Sequence, residues 1–316
     1  MQIADIFTLA LVQTTIRSAT PIILAALAAV ISKQAAVVNL GIEGMMLFGA
    51  YFGFVAGNLT QSWFVGVIVG VTAGAATGVI MAAAHLRFKA HILVVGFAIN
   101  MLALALTRFL LQQTFGISGA LLLPNPVSIP AVNIAVLEGV PILASIFSGY
   151  NIVEIFALVL VFAVWFVLFR TTTGLRLRSV GLHETVATTA GLNVEKTRFA
   201  AIVVSGVFAG LAGVHLSMGY STMFVEGMTG GRGFMGLAAM NFGGAHPIFA
   251  LCGALIFGFT DAVALRLQMF GFPSQLLLTL PYLVTVLVLS VAMIRAVKRE
   301  KMLLLRQSID DLKARN

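Results

Sequence analysis

An all-α bundle threaded repeatedly through a membrane is the fold class this sequence predicts, and three observations predict it. Of 316 residues, 60% are hydrophobic and only 9% are charged, giving a mean hydropathy of +1.05. Apolar runs long enough to cross a bilayer recur from one end to the other. The Lys and Arg residues behind the formal charge of +8 gather in a few short segments between those runs and in the tail. That is the positive-inside pattern of a membrane protein, and it excludes the basic face of a nucleic-acid binder.

Taken in order, the apolar segments fall at about 6 to 31, 37 to 57, 63 to 84, 91 to 112, 151 to 169, 199 to 218, 232 to 243, 247 to 268 and 275 to 296, about nine in all. The opening MQIADIFTLALV lacks a basic n-region and a small-residue cleavage site, so the first run reads as a retained span and not a signal peptide. Arg87 and Lys89 in HLRFKAH, the segment 170–198 with Arg170, Arg176, Arg178, Lys196 and Arg198, and Arg295, Lys298, Arg299, Lys301 and Arg306 after the last run all read as cytoplasmic. The stretch 113–150 has no Lys or Arg and reads as an external loop. Pro124, Pro126 and Pro130 make it irregular, and VNIAVLEGVPILASIF reads as an interfacial segment. A C-terminus inside then puts the N-terminus outside. Residues 1–300 form one transmembrane domain, and residues 301–316 a basic cytoplasmic tail.

Glycine spacing describes the packing. Gly49, Gly53 and Gly57, then Gly66, Gly70, Gly74 and Gly78, recur every fourth residue and place small residues on one helix face, where two backbones approach closely. Two other segments differ. NLGIEGMM in the first half and GGRGFMGLAAMNFGGAHP in the second are Gly-punctuated, partly polar interruptions of apolar runs, the pattern that points to a transport site. Glu43 sits inside the first of these, and a charge at the centre of a span costs roughly 2.5 to 3.5 kcal/mol on insertion scales. Placed where a half-helix begins, free backbone N–H groups favour its charge. It reads either as an end-cap or, with Asn39, as part of the substrate route. Arg232 is a partner for Glu43 or Glu226, or else a marker of the outer interface. Asn100 and Asn241 bridge helices or line a cavity. Asp261 and Arg266, five apart on one span, look for partners on other helices. Met45, Met46, Met235 and Met240 with Phe48 and Phe234 are either ordinary packing or an adaptable apolar path.

Other chemistry is excluded. Gly231, Gly233 and Gly236 spell G-x-G-x-x-G without the βαβ setting a dinucleotide needs, and no P-loop motif occurs, so any ATP is bound by another chain. The single cysteine, Cys252, leaves no intrachain disulfide and no cysteine metal cluster. His85, His91, His183, His215 and His246 have no metal-ligand spacing, and no catalytic triad can be drawn. The sequence therefore predicts no cofactor, no metal and no catalytic residue. Segment 170–198 is too long and too helix-like for a plain connector, and reads as an amphipathic helix that docks in a partner groove or lies on lipid headgroups.

Three blocks carry a family resemblance. TTTGLRLRSVGLHETVATTAGLNVEKTRFAAIVVSGVFAGLAGVHL resembles the cytoplasmic loop and following span of ATP-binding-cassette importer permeases of the sugar and nucleoside class, relatives of ribose and branched-chain amino acid permeases. AVVNLGIEGMMLFGAYFG looks like that family's N-(I/L)-G-x-E-G-M-M segment. That second block most resembles permeases that work with basic-membrane-protein lipoproteins, whose ligands are typically purine and pyrimidine nucleosides, and GRGFMGLAAMNFGGAHPIFALCGALIFGFTDA looks like the family's G-R-G-(F/Y)-x-x-(L/I)-A signature.

The resemblance implies an inner-membrane permease subunit of a bacterial importer. Its expected partners are a second, non-identical permease, two cytoplasmic ATPases and an external substrate-binding lipoprotein. The family's coupling helix carries over onto about Gly181 to Leu192, with Gly181, His183, Glu184, Thr185, Ala187 and Gly191 as its residues. Leu182, His183 and Glu184 stand where the family often has Glu-Asn-Pro. The expected substrate pathway takes Asn39, Glu43, Met46, Asn100, Arg232, Phe234 and Asn241. Nucleosides come first as cargo and simple sugars such as ribose second. A proton-coupled transporter titrating Glu43 or Asp261, and a membrane scaffold without flux, are the competing readings.

Overall fold

A computed structural model describes residues 9–132 and 149–269 and, singly, residues 279, 283 and 290. The expected last segment at 275–296, the tail and the interfacial segment VNIAVLEGVPILASIF lie outside the described residues. Ten helices are described: α1 (Leu9–Gln34), α2 (Ile42–Thr60), α3 (Trp63–Leu86), α4 (Ile92–Phe115), α5 (Ile152–Arg170), α6 (Thr172–Leu182), α7 (Glu184–Thr189), α8 (Val194–Val214), α9 (Arg232–Phe242) and α10 (Pro247–Met269). Seven are long and apolar enough to cross a membrane, namely α1 to α5, α8 and α10. The run expected at 232 to 243 is instead α9, an 11-residue helix. At 1.5 Å per residue it spans about 16 Å, half of a bilayer core of about 30 Å.

Burial sorts the spans. In α1 every residue from Ser18 to Ile31 is buried, and α2 hides nearly all of its length, so these two with α8 form the centre. The outer helices turn large apolar side chains outward, among them Phe64, Ile80, Phe97, Met101, Phe109, Phe162 and Phe166. In lipid such outward residues have a favourable solvent; α4 is the least buried of the spans and α5 the most apolar.

The centre is closed by glycine. A Cβ at Gly49 would land on the backbone of Gly210, one at Gly66 would lie 2.8 Å from the carbonyl of Gly53, and one at Gly74 would meet Gly206 and Gly210. The repeats at Gly49–Gly57 and Gly66–Gly78 thus bring α2, α3 and α8 together at backbone distance, and their partners on α8 are Gly206, Gly210 and Gly213.

The ends are tied by short connections. β1 (Ala120–Leu121) pairs antiparallel with β4 (Phe224–Val225), and β2 (Ala131–Val132) with β3 (Tyr150–Asn151). α5 opens with a capping box: the Asn151 side chain accepts from the Glu154 N–H, and the Glu154 carboxylate accepts from the Asn151 N–H. α8 ends in a π-helical turn, His215–Tyr220. His215 is fully buried there, its Nε2 3.3 Å from Glu154 Oε1, with Arg17 Nε 3.9 Å from the same oxygen.

Candidate functional site

The break before α2 and the short helix α9 meet inside the bundle. Residues 35–41 are non-helical, and the Asn39 side chain turns back to accept from the Gly41 N–H at 2.9 Å. Its amide donates to Ser205 on α8 at 2.9 Å, which fixes the break against the central helix. α2 then starts with its first turn unpaired, as every helix does. Asn100 on α4 supplies the cap: its Oδ1 accepts from the Gly44 N–H at 2.8 Å and its Nδ2 donates to the Leu40 carbonyl at 2.9 Å.

α9 is capped by the first half of the chain. Glu43 accepts from the Gly231 N–H and the Gly233 N–H, each at 2.7 Å, one on each carboxylate oxygen. The sequence places this carboxylate at the mouth of its own helix, whereas the partners are the free N–H groups of a different one. Helix-terminal N–H groups and the α9 dipole both favour the negative charge. Two glycines make the contact fit. Gly231 is the N-cap residue with φ of 82°, and a Cβ at Gly233 would sit 2.7 Å from Glu43 Oε2.

Arg232 does not pair with Glu43 or Glu226. Its guanidinium donates to Asp261 on α10 at 3.0 Å and lies over the Tyr220 ring, 6.0 Å from its centroid. Glu226 instead faces Arg108 at 3.5 Å and accepts from the Gly119 N–H. Asp261 thereby finds the interhelical partner that its place on the span calls for. α9 leads to the turn where the Ala245 carbonyl accepts from Gln34 at the end of α1, so Glu43 and Arg232 lie about one length of α9, roughly 16 Å, from that turn.

A cavity of about 340 Å³ opens beside this junction, lined by Glu43, Gly44, Leu47, Asn100, Met101, Leu104, Gly227, Thr229, Gly230 and Gly231. Its volume is at the small end of ligand pockets. It opens past Met101 and Leu104, which are 74% and 52% exposed, toward the outer face of α4. The wall offers a carboxylate, an amide, a hydroxyl and backbone groups beside three apolar side chains, and no Lys, Arg or His.

Of the expected pathway residues, the structure brings Glu43 and Asn100 to the cavity and places Arg232 behind it. Asn39 and Met46 are completely buried in packing, because the break and the α2–α8 contact need them there. Phe234 is 40% exposed on α9 and does not line the cavity. Asn241 is exposed near the far end of α9, about 13 Å along the axis from Arg232. Gly227 and Thr229 lie before the second interruption, GGRGFMGLAAMNFGGAHP, which Gly230 opens. The run TGG, with positive φ at Gly230 and Gly231, was the available signal of a turn that aims N–H groups inward.

The segment expected to carry a coupling helix over about Gly181 to Leu192 holds two helices and not one. α6 ends at Leu182, His183 is extended with φ of −144°, and α7 runs Glu184–Thr189. Gly181 packs against the Gln34 carbonyl, closer than a Cβ permits. Glu184 pairs with Arg198 at 2.9 Å, and Arg198 also donates to the Ala35 carbonyl. Thr185 is exposed, Ala187 is buried, and Gly191 turns the chain with φ of 80°. The segment therefore rests on the loop that leads to Asn39 and Glu43.

Comparison with known proteins gives a consistent result. The family model for branched-chain amino acid transport system permease components matches residues 11–292. The guanosine ABC transporter permease NupQ of Bacillus subtilis is 38% identical, over 92% of this chain and 93% of its own length. TsgC13 of Haloferax volcanii, provisionally named as a glucose ABC transporter permease, is 34% identical over 92% and 93%. The nucleoside ABC transporter permease NupC of Lactococcus lactis is 34% identical over 88% and 90%.

Proposed function

We propose a function from one premise: the chain belongs to the family of branched-chain amino acid transport system permease components. It is a multi-pass membrane subunit of an ABC transporter, a transport subunit and not a catalytic one. On our reading it carries nucleosides inward by alternating access across the bacterial inner membrane. ATP is hydrolysed in partner ATPases, beside a second and non-identical permease, and an external lipoprotein delivers the cargo.

The observation that carries this reading is Glu43 bridging the start of α2 to the N-terminus of α9 at the wall of a polar-and-apolar cavity. A carboxylate held by two backbone donors takes up a helix N-terminus without a cation and ties two elements that move relative to each other in alternating access. The cavity suits a neutral molecule with hydroxyl groups and a flat apolar body. An amino acid is a poorer fit, since among the lining residues no cation is present to pair with its carboxylate. Motion reaches this junction along the chain: α7 is tied through Glu184 and Arg198 to Ala35, a few residues before Asn39. The likeness to TsgC13 favours a second reading, with a simple sugar as cargo.

The test is to purify the tagged chain from its native membrane in mild detergent, identify what accompanies it by mass, and reconstitute the recovered assembly for uptake of labelled guanosine and glucose. A stoichiometric ATPase, a second permease and ATP-dependent guanosine uptake are expected. Glucose uptake alone would establish the sugar reading. Activity of the chain alone, abolished by a proton ionophore, would overturn the ATP-driven mechanism.

A further inference from the structure

A second cavity, of about 580 Å³, lies far from Glu43 between α5, α6 and α8, and its form is unlike that of a solute site. Its body is apolar, with Leu160, Val164, Val167, Val204 and Phe208 along the walls, and its only charged lining residues are Arg176 and Lys196. Both stand at one end, where Thr173 and Thr197 also line it. That end is the one where α5 stops and α8 starts, the basic end of the bundle. From Lys196 to Phe208 the groove follows α8 for about 18 Å, against about 15 Å for half a bilayer core. It therefore has the depth of one leaflet.

The two cations are set apart from their neighbours. Arg198 pairs with Glu184, the Arg178 guanidinium lies 4.7 Å from the centroid of the Phe169 ring, and that of Arg170 lies over Trp165. Among the described residues, Arg176 and Lys196 have no acidic partner and are exposed. Two uncompensated positive charges at the headgroup level, above an apolar channel one leaflet deep, complement one molecule: a phosphate diester attached to an acyl chain. We infer that this groove holds an acyl chain of an anionic phospholipid, with the headgroup phosphate between Arg176 and Lys196. The lipid fills the space between α5 and α8 and joins α5 to the base of α6, the helix that leads into α7.

The experiment uses the whole purified assembly in mild detergent, incubated with equal amounts of phosphatidylglycerol and phosphatidylcholine and weighed by native mass spectrometry. Wild type is expected to retain phosphatidylglycerol preferentially. The R176Q/K196Q variant should lose that preference by roughly fivefold for each charge removed. R87Q/K89Q removes the same charge from the turn between α3 and α4 and should leave retention within about twofold of wild type. Val167→Trp, which fills the channel, should lower retention of both lipids. The inference is overturned if wild type shows no preference or holds no lipid, if both double variants lose retention equally, or if Val167→Trp changes nothing. Equal losses would mean diffuse surface attraction, and absence of lipid would mean that another part of the assembly occupies the groove.

Discussion

Glu154 and Glu43 are both carboxylates inside an apolar bundle, yet the first is closed in by side chains of its surroundings while the second is held by backbone and left beside a cavity. Glu154 is 1% exposed; it closes its own capping box with Asn151 and sits against His215 and Arg17. Three of its contacts come from side chains, those of Asn151, His215 and Arg17, so it works as a staple joining α1, α5 and the end of α8. Among the described residues Glu43 has no cation partner. Its two hydrogen-bond donors are N–H groups 188 and 190 residues away in the chain, at the start of a helix of 11 residues. Burial and pairing alone therefore do not tell the two apart. What separates them is the neighbouring space and the source of their partners, side chains for Glu154 and the open end of a second helix for Glu43.

The largest effect should come from breaking the staple. Glu154→Ala leaves Asn151 as the N-cap but opens the capping box and takes an acceptor from His215 and Arg17, at a cost of about 1–3 kcal/mol, the range for leaving a buried polar group unsatisfied. Thermal unfolding of the detergent-purified chain, followed by loss of the monodisperse peak, should show it. Glu154→Gln keeps an acceptor for the cap and should recover part of the loss. An alanine variant as stable as wild type would mean that the cluster holds nothing together.

A smaller change in stability but a larger one in transport is expected at the other carboxylate. Glu43→Gln can accept from one of the two N–H groups and presents NH2 to the other, forfeiting a charge-assisted bond. Reconstituted uptake should fall roughly tenfold or more while assembly yield stays within about twofold, by the magnitude of such a bond. If uptake and stability fall in parallel, as they should for Glu154, the distinction between the two sites disappears.

The smallest effect concerns the ion pair behind the cavity. Arg232 and Asp261 are 20% and 17% exposed. A double-mutant cycle of Arg232→Gln and Asp261→Asn should give a coupling energy of about 0.5–3 kcal/mol in unfolding. A cycle of Arg232→Gln with Glu43→Gln should give less, since Arg232 turns away from Glu43. The reverse order would redraw the junction.

Much of this architecture was legible because lipid leaves few choices: each span must be a continuous apolar run, and the ranges 63 to 84, 91 to 112, 151 to 169 and 247 to 268 lie close to α3, α4, α5 and α10. Glu43 stood out because a charge in such a run is costly. Its partners did not, since spacing offered Arg232 to Glu43 or Glu226 and left Asp261 without a named partner, and only packing decides among them. Asn39 and Met46 share the motif of Glu43 but point into the core, a difference of direction that spacing on a broken helix does not resolve. Asn241 seemed polar within an apolar run, yet α9 ends one residue later, so it sits at a helix end in an exposed place. Glu154 escaped notice although N-x-x-E before an apolar run is a capping-box signature, because the run itself drew the reading.

The π-helical turn at His215–Tyr220 joins the two carboxylate regions, with His215 on Glu154 at one end and Tyr220 beneath Arg232 at the other. A π turn holds an additional residue within an α-helical ladder. Closing it to a plain α turn with the residue count kept would carry Tyr220 about 100° further round the axis, whereas deleting one residue would let the ladder close as α with the phase beyond it kept. The stretch behaves as a phase setting: its extra residue decides which way Tyr220 faces far more than how long the helix is. A single-residue deletion in this turn should therefore be tolerated better than one in the regular part of α8.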